Sequence, residues 1–542
     1  MTQIRRVGIV SCAFALICAA AWPQGKSRRP TSPASAAEQA LQEAGKDVQS
    51  GEFTKAENAA RRAAQLAPAS PVPHNLLGLI YEQTKRSKEA EAQYREAIRL
   101  SPKFAPAHGN LGNLFLQQGR FSEARTELES ASKLDPKDAR AHYNLGTALA
   151  QLSDFSAAAV EFETASRLQG GDPAIQFLFV RAALRAGRTT EALAAADALR
   201  KDNPENAALL FNLGLALARE GQYGRAAELF SRVNELRPKT PEVLYNLGVA
   251  YHNLKRLDEA AQALAEAADL KPEIPEPHFR LGLIASERLD HANAILEFQH
   301  ATARAPDRAE YHFVLGREEF AIGNWELAAK SYQRAAELDP SVALYELSLG
   351  NAEFRAENYA AATSAFERAA RLDPKMPDIE YLIGYCYRVQ GKLDEARSHF
   401  EAQLKMDSKH VRSLAALGFL SLEEGRPADA LEPLEQAVVL DPDNVDALFD
   451  LGRACEQLKQ SARAMEYFEH VLQLRPDDTQ AHYHLYLLYS RNGRPTKAKE
   501  QLAVYQRLVE MDKLVRREES ALSNARKARA GRSGVTPPGP DP

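Results

Sequence analysis

An aliphatic–glycine pair returns every 34 residues along this chain, and that interval restricts the fold more than any other feature. Gly78, Gly112, Gly146, Gly214, Gly248, Gly282, Gly316, Gly350, Gly384, Gly418 and Gly452 share one phase, and Ala44, Val180 and Tyr486 fill the same phase where the glycine is missing. Twelve residues after each of these fourteen marks lies an alanine, from Ala56 to Ala498. Self-similarity at such a period means a stack of supersecondary units, each burying its apolar face on its neighbours. The 542 residues, which by length alone would divide into three or four separate cores, are therefore predicted to form one array of fourteen repeats from about Ala37 to Glu510.

Within a repeat, proline stands twenty-four residues after the mark in eleven of the first thirteen units, the exceptions being Gly170 and Ser408. Proline cannot continue a helix, so each unit ends there. In eight units a glycine such as Gly51, Gly119, Gly221 or Gly391 sits seven residues after the mark, where a first helix needs a left-handed terminal residue. The unit reads as helix, turn, helix, turn. Small residues at the mark and twelve later let two helices cross closely.

With these positions in place, the chain resembles the tetratricopeptide repeat (TPR) family, whose 34-residue pattern pairs L-G with A-x3-F and a closing proline. The resemblance implies an all-α, right-handed superhelical solenoid of about fourteen helix-turn-helix repeats plus a C-terminal capping helix. Histidine or aliphatic residues replace the family's tryptophan at repeat position 4. The unit 171–204 is irregular: Val180 occupies the mark, Ala196 the usual aromatic slot, and Gly170–Gly171 replaces the proline before it. A bend or softer joint is expected there.

Residues 1–21 read as a secretory signal peptide, with Arg5 and Arg6 ahead of an apolar run and small residues at Ala19 and Ala21. This predicts export to the periplasm or cell envelope, or, if uncleaved, an inner-membrane anchor at residues 7–22. Residues 22–36 read as a disordered Pro/Ser-rich linker and 531–542 as a disordered tail. Leu508, Met511, Val515 and Leu522 suggest an extra helix over 511–530 covering the last repeat.

The function classes narrow by exclusion. Net charge is −5 without a dominant basic block, so nucleic acid is not an expected partner. The flanks of the array are too short for a catalytic domain, and no phosphate-binding loop, nucleophile elbow or metal-ligand motif occurs, so no enzyme activity, catalytic residue or cofactor is expected. Cys386 and Cys455 lie two repeats apart and read as buried apolar residues rather than a disulfide. His74, His108, His142, His278, His312 and His482 share repeat position 4. Neighbouring helices stand about 8–10 Å apart, too far for one metal to bind rings from successive units, so no metal site is expected. Glu319 and Glu353 fall where the family places an interior tyrosine; two nearby carboxylates could share a proton or do acid–base work, but pairing with Arg317 or Arg355, or reaching solvent at the helix edge, is the expectation.

By helical spacing and by the resemblance, the first helix of every unit lines a concave groove. Position 6 carries Asn110, Asn144, Asn212 and Asn246, with Leu178 between. An amide both donates and accepts, so such a row can hold an extended peptide backbone. The row is similar to the asparagine ladder of O-linked N-acetylglucosamine transferase repeats, although the sugar-transferring domain is absent. Position 5 is aromatic in nine units, including Tyr143, Phe211, Tyr245, Phe279 and Phe313. These rings can contact a partner's apolar side chains or sugar faces, or serve as packing. No unit has the position-5 lysine of chaperone-binding family members. The expected partner is a protein or extended peptide bound by a non-catalytic scaffold, with a polysaccharide as the alternative and membrane contact only through an uncleaved anchor.

Overall fold

Because each repeat supplies two short amphipathic segments and two breakers, the chain folds as helical hairpins. The computed structural model describes residues 33–532, with side chains described to residue 518. Helices pair in fourteen hairpins, such as Ala139–Gln151 with Phe155–Leu168, and the described residues contain no strand. They form two compact bodies, one ending at Lys271 and one beginning at Pro272. Each holds seven hairpins.

Two local rules build every hairpin. Seven residues past the mark, the backbone is left-handed in all fourteen repeats. Eight use glycine, at φ from 68° to 82°, and Lys85, Ser153, Lys255, Leu289, Glu357 and Lys459 take the same place at φ from 59° to 64°. The second rule is the close crossing. A Cβ on Gly214 would stand 2.6 Å from Phe230 Cε1, and one on Gly350 2.5 Å from Phe366 Cδ1. The side chain that forbids anything larger is thus sixteen residues after the mark, while the alanine twelve after it is buried throughout. The three units without a marking glycine differ: Ala44 faces Ala60 and Val180 faces Ala196, both smaller than the Leu, Phe or Tyr found elsewhere, whereas Tyr486 faces Leu502. In repeat five a larger mark is thus matched by a smaller opposing residue.

In the first body the first helices of repeats two to four, and again of five to seven, touch their counterparts in the next repeat, and second helices approach one another less. The first helices therefore lie on the inner side of the curve. Repeat five is irregular: its first helix, Pro173–Arg185, packs more closely on the preceding helix Phe155–Leu168 than on its own partner Thr189–Asp202. Gly170 and Gly171, at φ 67° and 83°, make the turn between these two helices.

Two expectations for the ends are corrected. Residues 33–36 are helical, because Pro33 fits the first turn of a helix and alanines follow. No separate helix occupies 511–530: the second helix of repeat fourteen runs on as Pro495–Arg532, with no glycine or further proline to interrupt it before Gly531. Met511, Leu514 and Val515 on that extension are more than half exposed and cover nothing. The expected leader 1–21, the anchor 7–22, the linker as far as residue 32 and the tail from 533 lie outside the described residues. Among the described residues no helix is long and apolar enough to cross a membrane.

Candidate functional site

On each first helix, repeat positions 2, 6, 9 and 13 form one stripe by their spacing of four, three and four. The crossing residues lie elsewhere on the helix. In the first body, Asn144 is half-buried and Asn212 exposed, and neither amide has a hydrogen-bond partner among the described residues. The other two asparagines are occupied. Asn110 Nδ2 donates to Asn75 Oδ1 of the preceding repeat at 2.9 Å, and Asn246 Nδ2 donates to the Glu242 carbonyl of its own helix at 2.6 Å. The four-member row reduces to two free amides flanking repeat five.

The position-5 aromatics chiefly pack. Tyr143 meets Phe162 at 6.2 Å between centroids, Phe211 meets Phe230 at 5.7 Å, and Phe313 meets Tyr332 at 5.6 Å, in each case the residue that opposes the marking glycine. Phe279, 9% exposed, is covered by Tyr311 at 4.4 Å and Phe298 at 5.7 Å, which corrects the expectation that it offers its ring to a partner. Tyr143 keeps 38% of its surface exposed, and Phe211, Tyr245 and Phe313 are half-buried.

The position-4 histidines are internal clamps. His108 Nδ1 lies 2.7 Å from Glu127 Oε2 and its Nε2 3.1 Å from the Pro102 carbonyl; His142 repeats this with Glu161 at 2.6 Å and Pro136 at 3.2 Å. Both partners of the His108 ring are acceptors, which favours its doubly protonated form. The Glu127 bond accordingly raises the His108 pKa, with burial opposing it.

The acidic pair in repeat nine also differs from expectation. Arg317 binds Glu318 at 3.1 Å, not Glu319, and Glu318 further accepts from Ser286 and His291, both at 2.8 Å. Burial raises the Glu318 carboxyl, but these bonds outweigh it and leave it below the usual range. Glu319 points inside, accepts from Ser331 Oγ at 2.7 Å and is raised by burial. Glu353 accepts from Asn358 at 2.9 Å, while Arg355 stacks over Trp325 at 4.7 Å. Glu319 and Glu353 are separately tied, and no shared acid–base unit forms.

Sequence reasoning followed the asparagines and passed over Arg140, Arg181, Arg185 and Arg219 on the same stripe, all four exposed. The signal was available as a composition: the helices Ala105–Gln117, Ala139–Gln151, Pro173–Arg185 and Ala207–Arg219 contain these arginines and no Asp, Glu or Lys.

Comparison with known proteins places this geometry. Family models described as tetratricopeptide repeats match residues 73–104, 177–239, 217–279, 279–343, 347–410 and 417–479, and one described as a TPR repeat matches 112–153. Among solved structures the chain is similar to Naa15/Naa10 bound to HypK-THB, with 14% identity over 90% of this chain and 97% of that one at a TM-score of 0.39. It is also similar to yeast Tom70, with 17% identity over 86% and 98% and a TM-score of 0.31. A third is MamA of Desulfovibrio magneticus RS-1, with 23% identity over 31% and 96% and a TM-score of 0.30. No curated protein matches the chain. Repeats that match across most of the array, with the crossing glycines and left-handed turns in register, make this chain a member of the tetratricopeptide repeat family, a fold that serves as a protein–protein interaction scaffold.

Proposed function

We propose that the chain is a non-catalytic scaffold that holds an extended segment of a partner protein against the inner stripe of its first helices. The observation that carries this reading is the pair of unengaged amides at Asn144 and Asn212 on the inner stripe. An amide without an internal partner, held on a rigid helix, can both accept from and donate to a peptide group at no cost in internal bonds. The leader-like N-terminus adds the second half of the proposal, that the scaffold works after export, in the periplasm or cell envelope. The alternative, a polysaccharide adaptor stacking sugars on inner aromatics, is supported by Tyr143 with its exposed ring, and less by Phe211, which leans on Phe230.

A photoreactive residue at 144 tests the site in cells, with one at 160 on the outer second helix as control, since Val160 is 50% exposed. A protein adduct from 144 and none from 160 is expected. Equal capture at both, or none at 144, would refute the groove. Cell fractionation of the full chain with and without residues 1–21 reads the address separately.

A further inference from the structure

We propose that the partner segment bound in repeats three to six is acidic, its Asp or Glu side chains taken by Arg140, Arg181, Arg185 and Arg219 while Asn144 and Asn212 hold its backbone. This rests on the peptide-groove reading above and names the chemistry of its occupant. The first observation is how arginine is used within the first body. On its second helices and turns the arginines are ion-paired, Arg167 and Arg237 excepted, as in Arg120–Glu91 at 2.8 Å and Arg225–Asp197 at 2.7 Å. The four on first helices have no ion pair among the described residues. Arg181 and Arg185 instead lie over the rings of Phe177, at 5.7 Å, and Phe155, at 3.9 Å, which orients their guanidinium groups without neutralising them.

The second observation is charge. The whole chain carries −5, yet four successive lining helices carry four arginines and no carboxylate. Asp138 and Asp172, at the starts of two of these helices, cap them by accepting from Arg140 N at 2.9 Å and Ala174 N at 2.7 Å, while exposed Glu220 directly follows Arg219 at the end of its helix. A local positive field within an otherwise acidic surface concentrates an anionic partner and rejects the rest of the chain's own surface.

Geometry favours an extended peptide. Arg181 and Arg185 are neighbours four apart on one helix, and Arg219 repeats the place of Arg185 one unit on, about 10 Å away. Three residues of extended chain cover about that distance, so a segment of about nine residues carrying several acids spans the successive guanidinium groups. Bidentate Arg–carboxylate pairing supplies the specificity.

Fluorescence anisotropy with the full chain tests this with three probes: a labelled nonapeptide of alternating acidic and small residues, its Asn/Gln counterpart, and polygalacturonate. The acidic peptide is expected to bind and the amide peptide at least tenfold more weakly. The Arg181→Gln/Arg185→Gln/Arg219→Gln variant, unchanged in helical circular dichroism, is expected to lose about 30-fold for the acidic peptide. Equal binding of both peptides, lost on Asn144→Ala/Asn212→Ala but not in the arginine variant, would overturn the acidic partner and leave the groove standing. Failure of both peptides would sink the groove as well. Polygalacturonate binding more tightly than the acidic peptide at equal charge would assign the arginines to a polysaccharide and overturn the proposal.

Discussion

If Val180 and Ala196 compensate each other at the crossing of repeat five, repeat six can be rebuilt to resemble it. Gly214→Val places a Cβ 2.6 Å from Phe230 Cε1 and 3.0 Å from its Cδ1 and Cζ. Phe230 is fully buried, so the ring has no solvent to swing into and must move about 1 Å against packed neighbours to reach ordinary contact. Overpacking of this kind costs about 1–3 kcal/mol, offset by a few tenths because valine suits a helix better than glycine. Phe230→Ala alone leaves a cavity and costs about 3–5 kcal/mol. In the double variant the valine methyls refill part of the ring's volume, as in repeat five, where Val180 and Ala196 are 0% and 4% exposed. The pair should therefore cost less than the sum of the singles by at least about 2 kcal/mol. A stack of repeats opens locally, so the assay is native-state hydrogen exchange of the helices Ala207–Arg219 and Tyr223–Leu236, with Pro71–Gln83 as internal reference. Additivity within about 0.5 kcal/mol would refute the reasoning.

Two further outcomes follow from the same geometry. Leu289 is left-handed at φ 59° and 76% exposed, so Leu289→Gly should stabilise repeat eight by about 0.5–1 kcal/mol in urea unfolding, and a loss would mean that this side chain packs. Asp450, 9% exposed and 3.1 Å from Arg453, has its carboxyl pushed by burial from 3.8 to about 6, with Arg453 opposing. A raised carboxyl means that folding favours the proton: stability is full below the ordinary value, falls as pH climbs from about 4 to 6 and is level above. Asp450→Asn should remove that fall and leave repeat thirteen more stable at pH 7 by up to about 2–3 kcal/mol; a gain equal at pH 4 and pH 7 would refute it.

What was legible in the sequence is what the period imposes. Each unit meets the same neighbour, so the glycine, the alanine twelve later and the proline recur, and the turn, crossing and unit length follow from them. Pairwise compensation was present but lay across two positions. Gln93, Glu127, Glu161, Glu297 and Gln501 stand nineteen residues after five of the six position-4 histidines and accept their Nδ1 contact. The sixth, His312, has Ser331 in that place, and Ser331 turns to Glu319 instead. Local exceptions were harder to see. The first helix of repeat eleven starts late, at Ile379, although Pro377 stands where Pro71, Pro173, Pro241 and Pro275 begin theirs; Asp378 takes φ 61° and is bonded to Arg412 and to His410, the latter at 3.0 Å. The asparagine row failed as a row because an amide's partner depends on its rotamer and neighbour, which no period fixes.

The inner stripe escapes the period for a physical reason that bears on its function. Mark, alanine and opposing side chain fix the hairpin, and none of them lies at positions 2, 6, 9 or 13. Folding therefore sets no charge there. On the second helices that freedom is used for mixed signs, as in Arg99–Glu96 and Arg125–Glu129, both at 2.6 Å, which keep the surface soluble and near neutral. Solubility would be served equally by the same mixture on the first helices of repeats three to six. Those helices contain no acid and keep four arginines without an ion pair among the described residues, with Arg181 and Arg185 lying over the rings of Phe177 and Phe155. The proposed acidic partner would supply the carboxylates that complement this arrangement.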